Sequence, residues 1–265
     1  MIKIAVFNQK GGVAKTTTTV NIAASLVKYS NKKVLTVNCD SQITLHQFLL
    51  TYTDPSEIKQ GSVRDLFSGA NVDDIASPVY TSEGKNISKS KLYVISSEKD
   101  IHLWNIENGK QAEESLNNSS FDYCIFDLPP HLSGISLAAL SICDYIIVPA
   151  IPDMDSLIGF DDIVKTVKSI RNNGGNPNLN LLGVVFCKVE PYMTHSYIMA
   201  SIRDKMGDLC FKTVIKNKSI VEQSRFYGSP ICYFSPKSET ASEYHDLIIE
   251  IEKKIAKDKK RKGLE

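Results

Sequence analysis

Short apolar runs recur along the chain, and most of them are continuous rather than alternating with polar residues. They occupy residues 2–7, 33–37, 92–96, 123–126, 145–148, 181–186 and 213–215. A continuous apolar run of this length is typical of a strand that is covered on both faces, as in a parallel sheet. The pattern therefore predicts a set of buried, mainly parallel strands.

Segments with helical spacing of apolar residues lie between these runs. Residues 15–29 follow a polar, glycine-rich turn after the first strand, a last helix is predicted from 240 to about 257, and 51–91 is the least regular part, with one amphipathic piece at 63–67. Another helix is predicted over 155–171 from the apolar positions Leu157, Ile158, Ile163, Val164, Val167 and Ile170. Alternating strands and helices predict an α/β fold with a doubly wound, mainly parallel sheet flanked by helices, which binds ligands at the carboxyl ends of its strands.

Length and composition change this picture little. A chain of 265 residues with 42% hydrophobic residues can bury one large core, so we expect a single domain over residues 1–265. Because the sequence has no apolar run of about 18 residues and no leader of the secretory type, we expect a soluble, cytoplasmic protein. The six cysteines form no C-x-x-C pair, and we expect reduced thiols buried in the core.

Charge is distributed unevenly along the chain. Residues 253–265 carry seven basic and two acidic side chains, a local +5, so the rest of the chain carries −4 of the formal net charge of +1. A basic C-terminal helix or tail on an acidic body suggests a polyanionic partner, and a solvated helix end is the alternative.

The turn after the first strand carries the strongest chemical signal. Q-K-G-G-V-A-K-T has the lysine and hydroxyl of a phosphate-binding loop, but Gln9 and Ala14 replace both glycines of the standard spacing. Backbone N–H groups at a helix N-terminus favour an anion. Ala14 is compatible with such a loop if its φ is negative. The predicted nucleotide-binding residues are Lys10, Gly11, Gly12, Val13, Ala14, Lys15, Thr16 and Thr17, with Lys15 on the β and γ phosphates, Thr16 on Mg²⁺ and Thr17 on the α phosphate.

The pattern Lys10-Gly11-Gly12-x-x-Lys15-Thr16 resembles the deviant Walker A motif of the ParA/MinD family of ATPases, whose ParA members commonly begin N-Q-K-G-G-V-G-K-T-T. The resemblance implies a P-loop NTPase fold with ATP and Mg²⁺ as cofactors. It also implies that Lys10 is the signature lysine, which crosses a dimer interface to the phosphates bound by the other subunit. Lys10 and Lys15 are accordingly predicted to be catalytic.

Further motifs follow in the family's order. V-L-T-V-N-C-D-S-Q resembles the Walker A′ segment, which implies that Asp40 orients the attacking water, although Asn38 and Ser41 replace the usual Asp and Pro. F-D-Y-C-I-F-D-L-P-P resembles Walker B, which implies that Asp127 holds Mg²⁺. The segments 144–160 and 212–234 also resemble family motifs, and Lys216 replaces the usual Pro in a segment that lines the adenine pocket of relatives.

Closest in pattern are the ParA/Soj-type partition ATPases without an N-terminal helix-turn-helix. These form homodimers with ATP, bind double-stranded DNA non-specifically and are released when a ParB-like centromere-binding protein stimulates hydrolysis, which implies a nucleoid-associated location. Non-specific binding needs only cations along the phosphates. The candidates are Lys212, Lys216, Lys218, Arg225 and Lys237, together with the lysines of the tail.

Two alternatives stay open. A MinD-like membrane-cycling ATPase needs a C-terminal amphipathic helix, but after Ile255 the tail offers only Ala256 and Leu264 as apolar residues. A slow or non-hydrolysing ATP-dependent scaffold or inhibitory switch is compatible with Asn38 and Ala14. An iron–sulfur carrier would need paired cysteine ligands, which the sequence lacks.

Overall fold

The computed structural model describes residues 1–42, 44–83, 86–101, 109–172 and 175–263. Its strands are β1 Ile2–Val6, β2 Val34–Asn38, β3 Ser77–Glu83, β4 Asn86–Ile95, β5 Tyr123–Asp127, β6 Tyr145–Ala150, β7 Asn180–Val189 and β8 Cys210–Lys216. They form one sheet in the order β3-β4-β2-β5-β1-β6-β7-β8. The neighbours are parallel except for the antiparallel pair β3 and β4.

Helices cover both faces of this sheet. They are α1 Lys15–Ser30, α2 Thr44–Leu49, α3 Val63–Phe67, α4 Val72–Ile75, α5 Lys110–Asn117, α6 Gly134–Ile142, α7 Met154–Asn172, α8 Met193–Met206, α9 Ser219–Phe226, α10 Ile231–Phe234 and α11 Glu239–Arg261. Two 3₁₀ helices, Pro55–Glu57 and Gly207–Leu209, complete the regular structure of the described residues. The predicted α/β sheet flanked by helices is confirmed.

Strand β1 shows why its sequence is apolar throughout. Ile4 and Val6 pack into the core cluster that includes α1 and α11, whereas Ala5 and Phe7 pack into the cluster on the opposite face. Successive side chains of a strand point to opposite faces, and both faces are covered here. Burial of such a side chain contributes about 1.5–3 kcal/mol, so the sheet is held from both sides.

The register of the parallel strands places the predicted site residues at one edge of the sheet. Val6 and Asn38 both lie opposite Asp127, at the carboxyl ends of β1, β2 and β5. Helix α1 then begins at Lys15, after the loop that follows β1. The sheet order therefore places the phosphate loop, Asn38 and Asp127 next to one another.

Strand β3 was not predicted. It lies within the region that looked least regular and is an edge strand that contains Pro78, with a register shift between Pro78 and Tyr80. Proline is tolerated at a sheet edge because no second neighbour needs its missing N–H. Its polar composition hid the strand from a search for apolar runs.

Two further predictions concern helices α7 and α11. In α7 the side chains of Ile163 and Val167 are buried as predicted, and those of Leu157 and Ile158 lie outside the described residues. Helix α11 continues to Arg261, beyond the predicted end, with its apolar stripe facing the core. Leu264 also lies outside the described residues.

All six cysteines are buried free thiols, as predicted. No helix among the described residues combines the length and the apolar character needed to cross a bilayer.

Candidate functional site

The loop between β1 and α1 has two residues in the left-handed region. Gly12 has φ 74° and Ala14 has φ 69°. The expectation of a negative φ at Ala14 is wrong, because the residue before α1 turns the chain into the helix in this conformation. An L-residue with a Cβ costs about 1–2 kcal/mol there. Glycine, which the standard loop has at this position, adopts a positive φ without this cost. With alanine at position 14, the backbone of this loop is strained.

The side chain of Lys15 folds back onto this loop. Its side chain is largely buried, and its Nζ donates to the Lys10 carbonyl oxygen at 3.0 Å. Burial lowers the pKa of the ammonium, and the nearby carboxylates of Asp127 and Asp40 oppose that shift. Lys15 forms no ion pair with any carboxylate that the structure describes. An anion bound in the loop would supply the missing charge.

The remaining residues of the loop differ in exposure. Gly11 and Gly12 are exposed, and a Cβ on either would meet no atom within 4 Å. The side chain of Val13 is buried, so only its backbone can face a ligand. Thr17, at the start of α1, lines the cavity above the loop together with Thr16.

Asp127 and Thr16, both predicted to hold Mg²⁺, lie in direct contact. Thr16 Oγ1 donates to Asp127 Oδ2 at 2.7 Å, and Thr19 Oγ1 donates to Asp127 Oδ1 at 3.2 Å. Burial raises the pKa of Asp127 to about 7, while the two hydroxyls and Lys15 lower it and Asp40 raises it. A buried carboxylate beside a hydroxyl, without a paired cation among the described side chains, fits a magnesium site. Thr19 was not predicted.

Asp40 lies in the wall of the same cavity. Its backbone N–H donates to Asn38 Oδ1 at 3.1 Å, and its Oδ1 accepts from the Gln42 N–H at 3.0 Å. Asn38 is fully buried opposite Asp127, and its Nδ2 has no partner among the described residues. A neutral side chain here avoids a second buried carboxylate beside Asp127, whose charge is already disfavoured by burial.

Lys10 is held within its own chain. Its Nζ lies 2.6 Å from Asp153 Oδ2 and 3.0 Å from Asp155 Oδ2. The hydrogen bond that Lys10 donates to Asp153 is the main cause that raises the pKa of Lys10. Sequence reasoning missed this clamp, although both carboxylates follow β6 and must therefore lie at the ligand-binding edge of the sheet.

Lys188 is a third cation at the loop. It lies at the end of β7 with φ 53°, a conformation that is uncommon for a non-glycine residue, and its Nζ donates to the Gly12 carbonyl oxygen at 3.0 Å. Lys188 and the loop line a cavity of about 560 Å³. Its position depends on a contact across the fold between β7 and the loop after β1.

Three of the five predicted DNA-contacting cations form ion pairs within the chain. Lys216 pairs with Glu239, as does Lys218 at 3.2 Å, while Arg225 lies 3.8 Å from Glu222. These three cations also line the nucleotide cavity, where the segment after β8 was expected from its resemblance to the adenine-pocket segment of relatives.

The remaining two candidates differ from those three. Lys237 is exposed between α10 and α11, and Lys212 lies in β8 near the opposite edge of the sheet. The five candidates therefore lie in three places, namely at the cavity above the loop, between α10 and α11, and in β8.

Comparison with known proteins agrees with this geometry. A family model described as "AAA domain" matches residues 1–181. The sporulation initiation inhibitor protein Soj of Bacillus subtilis is 28% identical over 251 residues, covering 94% of this chain and 97% of that protein. The chromosome-partitioning ATPase Soj of Thermus thermophilus is 28% identical over 250 residues, covering 94% of each. A solved ATP complex of a McdA variant from Cyanothece superposes with a TM-score of 0.76 at 18% identity, over 97% of this chain and 96% of that one.

Proposed function

The chain belongs to the AAA-domain family and is a relative of the ParA/Soj partition ATPases, and from that premise we propose that it is an ATP-dependent DNA segregation ATPase. It acts as one domain over residues 1–265, dimerises on ATP, binds double-stranded DNA non-specifically and is released by partner-stimulated hydrolysis. The contact of Thr16 with Asp127, beside a buried Lys15 whose Nζ binds only the Lys10 carbonyl oxygen among the described residues, is the observation that carries the proposal.

The geometry of the loop supports the proposed catalytic roles. Lys15 and the backbone amides of Gly11 to Thr16 bind the phosphates. Thr16 with Asp127 would hold Mg²⁺, which when bound would supply charge stabilisation for phosphoryl transfer. Asp40 orients the attacking water from the cavity wall. Catalysis of this kind is positioning and electrostatics, which suits a site whose groups are already held by hydrogen bonds.

A homodimer accounts for features that one chain leaves incomplete. Lys10 leaves its carboxylates and reaches the phosphates bound by the partner subunit. Large apolar side chains beside this edge are exposed, namely Leu132 at 40% and Met154 at 59%. Exposed apolar groups around a site are typical of a surface that becomes covered. Met154 lies between the two carboxylates that hold Lys10.

DNA and a ParB-like partner complete the proposed cycle in the cytoplasm, at the nucleoid. Cations outside the nucleotide cavity, such as Lys237, Lys212 and the lysines at the end of α11, are the proposed contacts. Their binding to phosphates is predicted to weaken steeply with salt. A membrane is not part of this proposal, because the apolar stripe of α11 is already buried against the core.

One observation favours a second candidate, a slowly hydrolysing ATP-dependent scaffold. Asn38 stands where the family motif has an acid, and strained Ala14 stands where it has glycine. Both residues lie at the carboxyl ends of the strands, beside the proposed catalytic residues. A rate of phosphate release that neither DNA nor a partner raises would favour this candidate.

Two substitutions test the assigned roles. Lys15→Ala is expected to weaken ATP binding on the order of 100-fold, because a charge-assisted phosphate contact is lost. Asp40→Ala is expected to bind ATP normally and to accumulate as a persistent ATP dimer. Binding is measured with a fluorescent ATP analogue and dimerisation by light scattering after gel filtration.

Asp246→Ala, which removes an exposed carboxylate on α11, is the matched control. Equal loss of ATP binding in the Lys15 and Asp40 variants would defeat the assignment of roles.

A further inference from the structure

A second cavity lies at the opposite, amino-terminal edge of the sheet. Its volume is about 850 Å³, within the range of small-molecule sites. The end of α7, the starts of β7 and β8, the 3₁₀ helix Gly207–Leu209 and the last turns of α11 enclose it. Strands β6 to β8 separate it from the phosphate loop, so a ligand here would not compete with ATP for space.

Apolar side chains form part of the cavity wall. Val164, Leu181 and Leu209 line it and remain partly exposed, with Leu209 at 37%. Behind them the packing is close, because a Cβ at Gly183 would lie 2.9 Å from both Lys254 Nζ and the Phe211 ring. The cavity therefore offers apolar surface to the body of a ligand.

Apart from Arg261, which pairs with Asp258 at 2.8 Å, the cations that line this cavity form no ion pair with the described residues. Lys254 is half-buried over the Phe211 ring, and its Nζ donates only to the carbonyl oxygens of Leu182 and Asp208, at 3.1 and 2.6 Å. Four more lining side chains form no ion pair or side-chain hydrogen bond with the described residues: Lys168, Arg171, Lys212 and Lys257.

Three carboxylates line the cavity, and two of them are already engaged. Glu250 accepts from the Lys212 and Thr213 backbone N–H groups, and Asp258 pairs with Lys262 at 2.8 Å and accepts from the Tyr145 hydroxyl. The third is Asp208, and against these three carboxylates the lining side chains include seven cations. The cavity thus has an excess of positive charge that the folded chain does not neutralise.

We infer that this cavity binds a compact organic anion with an apolar or aromatic body. The body packs against Val164, Leu181 and Leu209, and the anionic group faces Lys168, Arg171 and Lys257. A DNA duplex, proposed above to contact Lys212 and the lysines at the end of α11, is the alternative occupant of these cations, and its phosphate backbone would make no use of the apolar wall. The inference does not depend on the proposed ATPase cycle.

Fluorescence titration with 8-anilinonaphthalene-1-sulfonate tests the inference on the full chain, with saturating ATP and Mg²⁺ to block the nucleotide site. We expect one saturable site, from which hexyl phosphate displaces the probe and hexyltrimethylammonium and hexanol do not. The double variant Lys168→Gln with Arg171→Gln is expected to weaken binding about tenfold, and Lys257→Gln about fivefold, because each removes a charge-assisted contact.

Matched controls lie on the same helices. Lys165→Gln on α7 and Lys253→Gln on α11 remove exposed lysines that do not line the cavity and are expected to leave probe binding unchanged. Equal weakening by control and cavity variants, or equal displacement by the cationic competitor, would overturn the inference. So would variants that lose affinity for duplex DNA while binding the probe normally, since the cations would then form a DNA surface.

Discussion

The two edges of the central sheet are both rich in cations but hold them in different ways. At the carboxyl edge, Lys10, Lys15 and Lys188 are each fixed by carboxylates or by carbonyl oxygens of the loop. At the amino edge, side chains such as Lys168 and Lys257 surround a partly apolar cavity without ion pairs among the described residues. Fixed charges suit a reaction that depends on positioning, whereas unpaired charges around an apolar wall suit reversible binding of an anion.

The largest expected effect concerns the buried acid of the carboxyl edge. Because the folded-state pKa of Asp127 is raised to about 7, the folded chain binds a proton more tightly than the unfolded chain. Stability from this group is present at low pH and is lost as pH rises towards 7. Asp127→Asn is therefore expected to raise the free energy of unfolding of the nucleotide-free protein by roughly 2–4 kcal/mol at pH 8 and by much less at pH 5.

Urea unfolding at both pH values, in a chelator, measures this difference, and Asp246→Asn is the control. Mg²⁺ is expected to stabilise the original protein at pH 8 but not the Asp127 variant. Equal stability of the two proteins at pH 8 would show that the charged Asp127 carboxylate does not destabilise the nucleotide-free protein. The argument that this carboxylate favours a bound cation would then fail.

The second effect tests whether Lys188 belongs to the fixed group. Lys188→Met removes a cation that contacts the Gly12 carbonyl oxygen, and ATP affinity is expected to fall about tenfold. Lys188→Arg is expected to restore most of the affinity, and Lys165→Met serves as the distant control. Calorimetric titration with ATP measures the change, and an unchanged affinity in Lys188→Met would place this lysine outside the site.

The third effect concerns the clamp on Lys10. Asp153→Asn with Asp155→Asn removes two partly exposed ion pairs worth roughly 1 kcal/mol together. If Lys10 must leave this clamp to reach a partner subunit, the double variant is expected to dimerise with ATP about fivefold more tightly. Sedimentation velocity over a concentration series measures the dimer affinity, and weaker dimerisation would show that the carboxylates support the dimer instead.

The smallest effect concerns strain in the loop. Ala14→Gly relieves a left-handed alanine at φ 69° but adds chain entropy to the unfolded state, so the net gain is about 0.5–1 kcal/mol. Thermal unfolding is expected to shift upward by about 1–4 °C. Ala256→Gly, within an exposed turn of α11, is expected to shift it downward. A downward shift at Ala14 would mean that its backbone is not strained.

Local sequence patterns predicted the parts of the site that lie in the loop and at the ends of the strands beside it. The loop, the start of α1 and the ends of β1, β2 and β5 follow from apolar runs and motif spacing, and they bring Thr16 to Asp127 as expected. The contacts of Lys10 with Asp153 and of Lys188 with Gly12 join residues far apart in sequence. No local pattern encodes such pairs, because they arise only once β6 and β7 are placed beside β1.

The backbone conformation at position 14 is the other feature that the sequence did not predict. Alanine rarely adopts a left-handed conformation, so the residue type at position 14 argued for the wrong sign of φ. The loop geometry overrides that preference because α1 is fixed by packing of Val20, Ala23 and Leu26 in the core.

The most direct test of the central claim is the fluorescence anisotropy of a random-sequence DNA duplex, titrated with this protein in ATP, ADP and no nucleotide at two salt concentrations. The account predicts tight binding with ATP and Mg²⁺ only, which weakens steeply as salt rises and is absent in Lys15→Ala. Binding that is the same in all three nucleotide states, or absent from all of them, would contradict a nucleotide switch that controls DNA affinity.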